Sequence, residues 1–355
     1  MVLYNSDGRA YELADGALGL GREGSVYRIV GEPLVAKVYH NPTPETARKI
    51  EAMAGILSVL YERKKPLLLQ LAWPFEALYE RPDGLWFKGF LMYGVPEGYV
   101  SIDAVSQFPA NPAAPSLDER QKIKMLINLC NVTAELHDIG ITIGDWNARN
   151  FLVGEQGSLM LLDTDSYGFT LSGVTYGTTC AAPGFIAPEV LKLMESTGIG
   201  DFGGLAATKA PVFTPRTDDF ALAVHIFKML NRGVHPFSGD LDLDFYDLDD
   251  DDIPPAPSLN TCIREGQSPF IGTQVGYAVP DYALGLNDFP FLLSEAFRRS
   301  LYDNWVEERI SARVWARLLD RYLSEAIECP RGHLHTSQHE CPYCRGERAL
   351  LARLS

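Results

Sequence analysis

The periodicity of apolar residues changes near residue 95, and this change limits the fold more than any other feature of the chain. Residues 11–40 alternate apolar and polar positions with glycines between them, as antiparallel strands do. Helical periodicity covers residues 45–60, strand-like alternation returns over residues 67–92, and the remainder is mostly helical. The sequence therefore predicts an α+β protein with a small β-rich N-terminal lobe and a large helical C-terminal lobe, a bilobal arrangement.

Three polar residues lie beside apolar, strand-like runs in the middle of the chain. Asp145 and Asn150 occupy the run Gly144-Asp-Trp-Asn-Ala-Arg-Asn-Phe-Leu-Val153, and Asp163 begins the run Asp-Thr-Asp-Ser166. Phosphoryl transfer needs a carboxylate near the attacking hydroxyl and oxygen ligands that hold Mg²⁺ against the phosphates. An aspartate followed closely by an asparagine is common by chance, so this interpretation depends on the rest of the chain.

A glycine-rich run, Leu18-Gly-Leu-Gly-Arg-Glu-Gly-Ser-Val-Tyr27, lies between two strand-like segments. Such glycines let backbone amides approach phosphate oxygens without an intervening side chain. A dinucleotide-binding loop has a similar pattern but opens a helix, whereas strand-like residues follow here. Lys37 lies in the next strand-like run, Leu34-Val-Ala-Lys-Val-Tyr39, and we interpret it as a phosphate-contacting lysine rather than as an exposed edge charge.

A lysine in this role needs a carboxylate to hold it in place. Glu51, on the predicted helix after the strand, is the first candidate, and Glu45 is the alternative. A solvated helix face is an equally good interpretation of either glutamate.

In this order, these runs resemble the eukaryotic-like protein kinase superfamily over residues 18–323. The resemblance implies a bilobal kinase fold that uses ATP and Mg²⁺ or Mn²⁺. It implies that Asp145 is the catalytic base, that Asn150 and Asp163 bind the metal, and that Lys37 contacts the α- and β-phosphates. Met92 would be the gatekeeper before a hinge at residues 93–96. The residues that the resemblance assigns to nucleotide binding are Gly19, Gly21, Gly24, Val26, Ala36, Lys37, Met92, Tyr93, Val95, Asn150 and Asp163.

Later landmarks of the family also occur in order. Ala187-Pro-Glu189 is similar to the end of the activation segment, and Asp218 is similar to the buried aspartate that anchors the catalytic loop. Gly233-Val-His-Pro-Phe237 corresponds to a further landmark. The resemblance also implies that Arg309 pairs with Glu189.

The chain departs from the family pattern at two loops. Ile143-Gly-Asp145 replaces His-Arg-Asp, which makes this a non-RD sequence and predicts activity without activation-loop phosphorylation. Asp163-Thr-Asp165 replaces Asp-Phe-Gly, and Asp165 is either a further Mg²⁺ ligand or a turn residue. Where Ser/Thr-directed members commonly have a lysine, this chain has Asn147, and Arg149 is a candidate to replace that charge. The remaining candidate phosphosites are Thr175, Tyr176, Thr178 and Thr179.

Two pairs of metal-ligand residues lie near the C-terminus. Cys329-Pro-Arg-Gly-His333 and Cys341-Pro-Tyr-Cys344 place thiolates and an imidazole in two tight turns, which suits a tetrahedral, structural Zn²⁺ site. The alternative is a frayed tail with unligated cysteines. His335 and His339 compete with His333 as the fourth ligand, and we favour His333 because Gly332 frees the turn before it. The predicted domains are therefore an N-lobe at 1–95, a C-lobe at 96–325 and a zinc-ribbon-like tail at 326–355.

Composition limits the partners. A formal net charge of -15 argues against nucleic-acid binding through a basic face, and the acidic run over residues 240–252 is expected to be a solvated loop. No secretory signal and no apolar run long enough to span a membrane is evident in the sequence, so we expect a cytoplasmic protein.

We therefore interpret the chain as a Ser/Thr-type protein kinase that phosphorylates a protein partner. The alternatives are a nucleotide-binding pseudokinase scaffold and a small-molecule kinase of the aminoglycoside phosphotransferase type. The Asp-Thr-Asp-Ser run and the zinc element also resemble the kinase of a bacterial, tellurite-resistance-associated (TerY-type) triad. That resemblance implies a metal-dependent, PP2C-type phosphatase and a von Willebrand A-domain protein as partners.

Overall fold

The computed structural model describes residues 1–178, 180–199, 212–242, 245, 255–303, 305–337 and 339–354. Thr179 and most of the acidic run 240–252 lie outside the described residues. The chain divides into two compact units. The first unit comprises residues 1–99 and 160–176, and the second comprises the described parts of 100–159 and 177–355.

Strands and helices are numbered in chain order over the described residues. The strands are β1 (Val2–Tyr4), β2 (Ala10–Glu12), β3 (Gly19–Leu20), β4 (Gly24–Arg28), β5 (Leu34–Tyr39), β6 (Glu76–Tyr79), β7 (Phe87–Tyr93), β8 (Val100–Ser101), β9 (Ile141–Thr142), β10 (Phe151–Val153), β11 (Leu159–Leu161), β12 (Gly168–Leu171), β13 (Val174–Tyr176), β14 (Asp240–Leu241), β15 (Tyr277–Ala278), β16 (Ile327–Glu328) and β17 (Leu334–His335). The α-helices are α1 (Pro44–Leu68), α2 (Ile102–Ser106), α3 (Glu119–Asp138), α4 (Pro188–Thr197), α5 (Pro215–Leu230), α6 (Leu259–Glu265), α7 (Phe291–Phe297), α8 (Ala312–Glu325) and α9 (Pro342–Leu354).

The first unit is built on a seven-stranded antiparallel sheet with the order β2-β1-β6-β7-β5-β4-β3. Several of its apolar side chains form a buried cluster, which includes Leu3, Ile29 and Leu91. The strand-like segments predicted from the alternation are therefore present. This mixture of an antiparallel sheet and helices is consistent with a kinase-like fold.

Helix α1 is longer than the predicted helix over residues 45–60. It begins after Thr43, whose side chain accepts a hydrogen bond from the Thr46 amide, and it continues through Pro66 to Leu68. The next strand starts only at Glu76. The short apolar run over 67–71 misled the prediction because periodicity alone does not distinguish such a run in a helix from one in a strand.

The second unit is mainly helical. Helix α3 begins with a capping box, in which the Asp118 side chain accepts from the Gln121 amide and the Gln121 side chain accepts from the Asp118 amide. Helix α5 is buried along nearly its whole length, as expected of a central helix. None of the described helices combines the length and apolar character needed to cross a membrane.

His225 and His235 are two of the buried histidines of the second unit. The His225 Nε2–H donates to the Trp146 carbonyl at 3.0 Å, and the His235 Nε2–H donates to the Gly184 carbonyl at 2.9 Å. Burial lowers the pKa of His225 to about 4 and that of His235 to about 3. Each histidine therefore takes up a proton only when the chain unfolds, at pH values between its folded pKa and about 6.5.

We expect His235 to make the second unit more sensitive to acid. As the pH falls from about 6.5 towards 4, the unfolded state binds the proton, and the free energy of unfolding decreases by about 1.4 kcal/mol per pH unit for this histidine. Burial raises the pKa of Asp219 to about 6, so the protonation of that carboxyl increases the free energy of unfolding as the pH falls through the same range.

The measurement is therefore the slope of unfolding free energy against pH in urea titrations, compared between the wild type and His235→Gln. The variant should have the shallower slope. Equal slopes for His235→Gln and the wild type would contradict this account.

Candidate functional site

Lys37 lies at the centre of a buried polar cluster in the first unit. Its ammonium donates to Asp163 Oδ1 at 3.0 Å and to the two oxygens of Asp165 at 2.9 and 2.8 Å. The Tyr39 hydroxyl donates to Asp165 Oδ2 at 2.6 Å. Burial alone would lower the pKa of Lys37, but the two carboxylates raise that pKa above its ordinary value. Lys37 is therefore a buried, charged residue and not an exposed edge charge.

The Asp163-Thr-Asp-Ser166 run folds into a tight turn that separates its two carboxylates. Asp163 has a left-handed backbone with φ 49°, and a 3₁₀ turn over Thr164–Ser166 follows it. The buried Thr164 hydroxyl donates to the Ala72 carbonyl at 2.7 Å, and the Ser166 hydroxyl donates to the Asp163 carbonyl at 2.7 Å. The side chain of Asp163 is 53% exposed, whereas that of Asp165 is 5% exposed. The turn thus keeps Asp165 inside the unit and leaves Asp163 accessible.

The expected ion pair between Lys37 and a helix glutamate is corrected by the structure. Glu51 accepts a hydrogen bond from the Tyr79 hydroxyl at 2.8 Å, and Glu45 pairs with Arg48 at 2.9 Å. Among the described residues, neither glutamate forms an ion pair with Lys37. The reason is that Asp163 and Asp165 already supply the carboxylates around the ammonium.

The glycine-rich run forms the hairpin of β3 and β4. The Gly21 amide donates to the Gly24 carbonyl at 2.9 Å, and Gly24–Arg28 continues as a strand rather than opening a helix. This confirms the distinction from a dinucleotide-binding loop. A Cβ on Gly24 would lie 2.5 Å from the Val38 carbonyl oxygen, so the close approach of β5 requires glycine at this position.

The other residues expected to bind nucleotide lie on the same sheet or just after it. Val26 is opposite Lys37 across β4 and β5, and Met92 is opposite Val35 across β5 and β7. Ala36 is fully buried, whereas Tyr93 and Val95 are 56% and 38% exposed. Their contacts with a nucleotide remain predictions.

Asp145 and Asn150 meet in the second unit. The Asn150 Nδ2 donates to Asp145 Oδ2 at 3.1 Å, and the Asn147 amide approaches Asp145 Oδ1 at 3.3 Å. The Cys180 thiol lies 3.8 Å from Asp145 Oδ2. The carboxylate of Asp145 is therefore held in a defined orientation by its own loop.

Asp218 fixes the loop that carries Asp145. Its fully buried carboxylate accepts from the amides of Ile143 and Gly144 at 2.7 and 2.9 Å, and from the Trp146 indole at 2.7 Å. His137 Nε2 lies 3.0 Å from the same carboxylate. The expectation that Asp218 anchors this loop is confirmed.

The expected pair between Glu189 and Arg309 is also confirmed. The guanidinium donates to the two carboxylate oxygens at 2.6 and 2.7 Å, in the bidentate geometry that arginine favours. The Arg309 side chain is 2% exposed. This ion pair therefore connects the start of α4 with the segment just before α8.

Gly144 is required by its neighbour as well as by its backbone. Its φ is +72°, and a Cβ at this position would overlap the Thr178 side chain. Thr178 is 4% exposed, and its hydroxyl has no hydrogen-bond partner within the described part of the chain. Thr178 thus fills the space into which an arginine at position 144 would extend. Of the candidate phosphosites, Thr178 is inaccessible here, whereas Thr175 is exposed.

The four predicted metal ligands come together in the second unit. The ligand atoms of Cys329, His333, Cys341 and Cys344 all lie within 4.8 Å of one another. His333 Nδ1 is 3.6, 3.7 and 3.4 Å from the three sulfur atoms, and Cys329 Sγ is 3.7 Å from Cys344 Sγ. A tetrahedral Zn²⁺ site has edges of about 3.6 Å between imidazole nitrogen and thiolate and about 3.8 Å between two thiolates. The donor set and its dimensions therefore fit zinc, and neither His335 nor His339 belongs to the described cluster.

Two charged side chains lie against the imidazole of this cluster. Nδ1 faces the thiols, and Nε2 lies 3.0 Å from the Arg232 guanidinium and 3.3 Å from the buried Glu347 carboxylate. Glu347 also pairs with Arg232 at 2.6 Å, and the guanidinium lies against the rings of Phe108 and Tyr343 at 4.4 and 4.8 Å. These contacts exclude a frayed tail for the described residues. Sequence reasoning did not find Glu347 or Arg232, because neither lies within the spacing of the ligand motif.

Two curated proteins that are both named protein kinase YegI, from Escherichia coli (strain K12) and from Escherichia coli O157:H7, are similar to this chain. Each is 26% identical over 336 residues, which cover 92% of this chain and 47% and 48% of the two relatives, respectively. The chain therefore spans about half the length of the curated relatives it matches. No protein-family model matches the chain.

We expect Gly144→Ala to destabilise the second unit by more than its backbone strain alone. A left-handed backbone costs a non-glycine residue about 1–2 kcal/mol, and overlap with Thr178 should add about 1–3 kcal/mol. Gly140→Ala is the matched control, since Gly140 has φ +77° and open space around it. The free energy of unfolding in urea is measured for both variants. Gly140→Ala should show the backbone cost alone, and Gly144→Ala should show the backbone cost plus the cost of the overlap with Thr178. Equal losses in unfolding free energy would show that Thr178 does not require a glycine at position 144.

Proposed function

We propose that the protein is an ATP- and Mg²⁺-dependent protein kinase that transfers the γ-phosphate to serine or threonine hydroxyls of a protein partner. The observation that carries this proposal is the loop anchored by Asp218, which holds Asp145 and Asn150 side by side. A kinase needs such a loop to fix a base at the substrate hydroxyl. The similarity to named protein kinases supports the same function.

The residues present fit ATP and a divalent cation. Asn150 donates its amide nitrogen to Asp145, which leaves its carbonyl oxygen as a cation ligand. Asp163 offers an accessible carboxylate, and Lys37 offers a charged ammonium for phosphate oxygens. In the proposed reaction, Asp145 orients the substrate hydroxyl and accepts its proton. Bound Mg²⁺ would neutralise charge on the phosphates.

A protein substrate is favoured over an aminoglycoside-type small molecule. The pair between Glu189 and Arg309 belongs to the kinase landmarks that small-molecule kinases of that type generally lack, and both residues are in contact here. The residues expected for transfer are also all present, which favours an enzyme over a pseudokinase scaffold.

We further propose that the enzyme is of the non-RD type and is active without activation-loop phosphorylation. Gly144 replaces the arginine that would bind a phosphate, and the packing of Thr178 against it supplies a contact between the Asp145 loop and the activation segment that needs no added charge.

The Cys329, His333, Cys341 and Cys344 cluster is proposed to bind one structural Zn²⁺. Three thiolates and one imidazole fill a tetrahedral set, which leaves no open position for catalysis. Because zinc binding needs reduced thiols, we propose a cytoplasmic location. A PP2C-type phosphatase and a von Willebrand A-domain protein remain the proposed partners, on the triad resemblance of the Asp-Thr-Asp-Ser run.

Replacing the proposed base tests the enzyme directly. We expect Asp145→Asn to lower phosphate transfer from labelled ATP·Mg²⁺ to a generic protein substrate by roughly 10²–10⁴-fold, since general-base catalysis contributes about that much. Asp138→Asn, a surface change in the same unit, is the control and should keep wild-type activity. Mass spectrometry of the product should show phosphoserine or phosphothreonine.

Three results would count against the proposal. Full activity of Asp145→Asn would exclude its role as the base. Nucleotide binding by the wild type without transfer would favour the scaffold. Transfer to an aminoglycoside but not to protein would favour the small-molecule kinase.

Elemental analysis tests the zinc site. We expect one zinc per chain in the purified wild type and loss of that zinc in the double variant Cys341→Ser/Cys344→Ser. Cys262→Ser, a change at a thiol outside the cluster, is the control and should retain the metal. Native protein that carries no zinc after purification would contradict the assignment.

A further inference from the structure

The Lys37 cluster contains one more carboxylate than the proposed phosphate chemistry uses. Asp163 accounts for the proposed cation ligand, and it is the accessible member of the pair. Asp165 binds the same ammonium through both of its oxygens, yet its side chain is only 5% exposed. A buried carboxylate is costly unless its hydrogen bonds are satisfied, so this residue needs an explanation.

Asp165 is held more tightly than a turn residue requires. Its Oδ2 accepts from the Tyr39 hydroxyl at 2.6 Å as well as from Lys37. The neighbouring Thr164 is fully buried and fixes the turn to the Ala72 carbonyl. Tyr39 and Lys37 lie two positions apart on β5, so both side chains leave the same face of the strand. Strand β5 and the turn at Thr164 together hold the Asp165 carboxylate against the Lys37 ammonium.

The helix glutamate that was expected to hold Lys37 has another partner. Glu51 accepts from Tyr79 on β6, and α1 contributes no ion pair to Lys37 among the described residues. The lysine is therefore positioned without a carboxylate from the helix.

We propose that Asp165 is the positioning residue for Lys37 and takes the role that a helix glutamate was expected to have. This inference rests on the proposed function, because it concerns how Lys37 is presented to the phosphates of ATP. It assigns Asp165 as neither a cation ligand nor a simple turn residue.

The Lys37 ammonium has three protons, of which two can be donated to Asp165 and one to Asp163. Asp165 accepts through two oxygens that are shielded from water, so these bonds persist. The bond to the exposed Asp163 is the exchangeable one. When the Asp163 carboxylate turns to a cation, Lys37 can donate its third proton to a phosphate oxygen while Asp165 keeps the ammonium in place.

Nucleotide affinity tests this inference separately from phosphate transfer. The dissociation constant of a fluorescent ATP analogue with Mg²⁺ is measured for the wild type, Asp165→Asn, Glu51→Gln and Lys37→Met. We expect Asp165→Asn to weaken binding roughly ten- to hundredfold, as loss of a charge-assisted contact to the phosphate-binding lysine would. Glu51→Gln, the matched carboxylate-to-amide control, should bind as the wild type does.

A double-mutant cycle shows whether Asp165 acts through Lys37. The double variant Lys37→Met/Asp165→Asn should bind the analogue no more weakly than Lys37→Met alone, because the two losses are one interaction. Tyr39→Phe gives a milder test of the same contact and should weaken binding by a smaller factor. Thermal unfolding of each variant identifies any that fail to fold, and Tyr39→Phe then takes the place of Asp165→Asn in the cycle.

Several outcomes would overturn the inference. These are additive losses in the cycle, wild-type affinity in Asp165→Asn, or a large loss in Glu51→Gln with none in Asp165→Asn. A wild type that binds no nucleotide would also overturn it. A wild type that binds the analogue but transfers no phosphate would refute the proposed kinase function alone, since the affinity cycle would still be read in full.

Discussion

The buried carboxylate of Asp218 is the constraint on which the candidate catalytic loop depends. It accepts two consecutive backbone amides and an indole, and all of these groups would otherwise be buried without a partner. The amides of Ile143 and Gly144 are satisfied by this acceptor from outside the loop, which fixes the conformation of the loop before Asp145. Trp146 stacks on Phe151 with 5.0 Å between ring centroids, which extends that order towards β10. Asp145 therefore projects from a loop that is fixed on both sides of the carboxylate.

In the first unit, the charge of the buried Lys37 ammonium has to be compensated within the sheet. Burial opposes the ammonium, and two carboxylates from one turn offset that cost. Concentrating both acids on a single turn has a consequence. If the carboxylate came from a helix, movement of that helix would change the position of Lys37. Here the carboxylate follows β11 in a turn that is bonded to Ala72, just after α1, so among the described residues the carboxylates at Lys37 come from the turn and not from the helix.

Much of this arrangement was predictable, and the exceptions have a common physical cause. The alternation in residues 11–40 predicted the strands, and the four residues of the candidate metal cluster were found because two short turns contain all of them. The residues of one motif are close together in the sequence, and the chemistry of the site constrains their spacing, so the pattern can be recognised without the structure. The partner of Lys37 was predicted wrongly because the sequence does not distinguish the carboxylate of Glu51 from that of Asp165. Only the three-dimensional packing shows that Glu51 accepts a hydrogen bond from Tyr79, whereas Asp165 accepts from Lys37 and Tyr39. Arg232 lies 101 residues from His333 and has no local signal at all.

Arg232 connects the candidate metal cluster to the rest of the second unit. It has a left-handed backbone with φ 56° just after α5, a conformation that costs a non-glycine residue of order 1 kcal/mol or more. Its largely buried guanidinium would be costly without Glu347, and both side chains contact the imidazole of His333. The Tyr343 hydroxyl, beside the ligand Cys344, donates to the Leu230 carbonyl at the end of α5. His333, Arg232 and Glu347 therefore form one polar group beside the candidate metal cluster. Together with the bond from Tyr343 to Leu230, these contacts connect the candidate ligands to the end of α5.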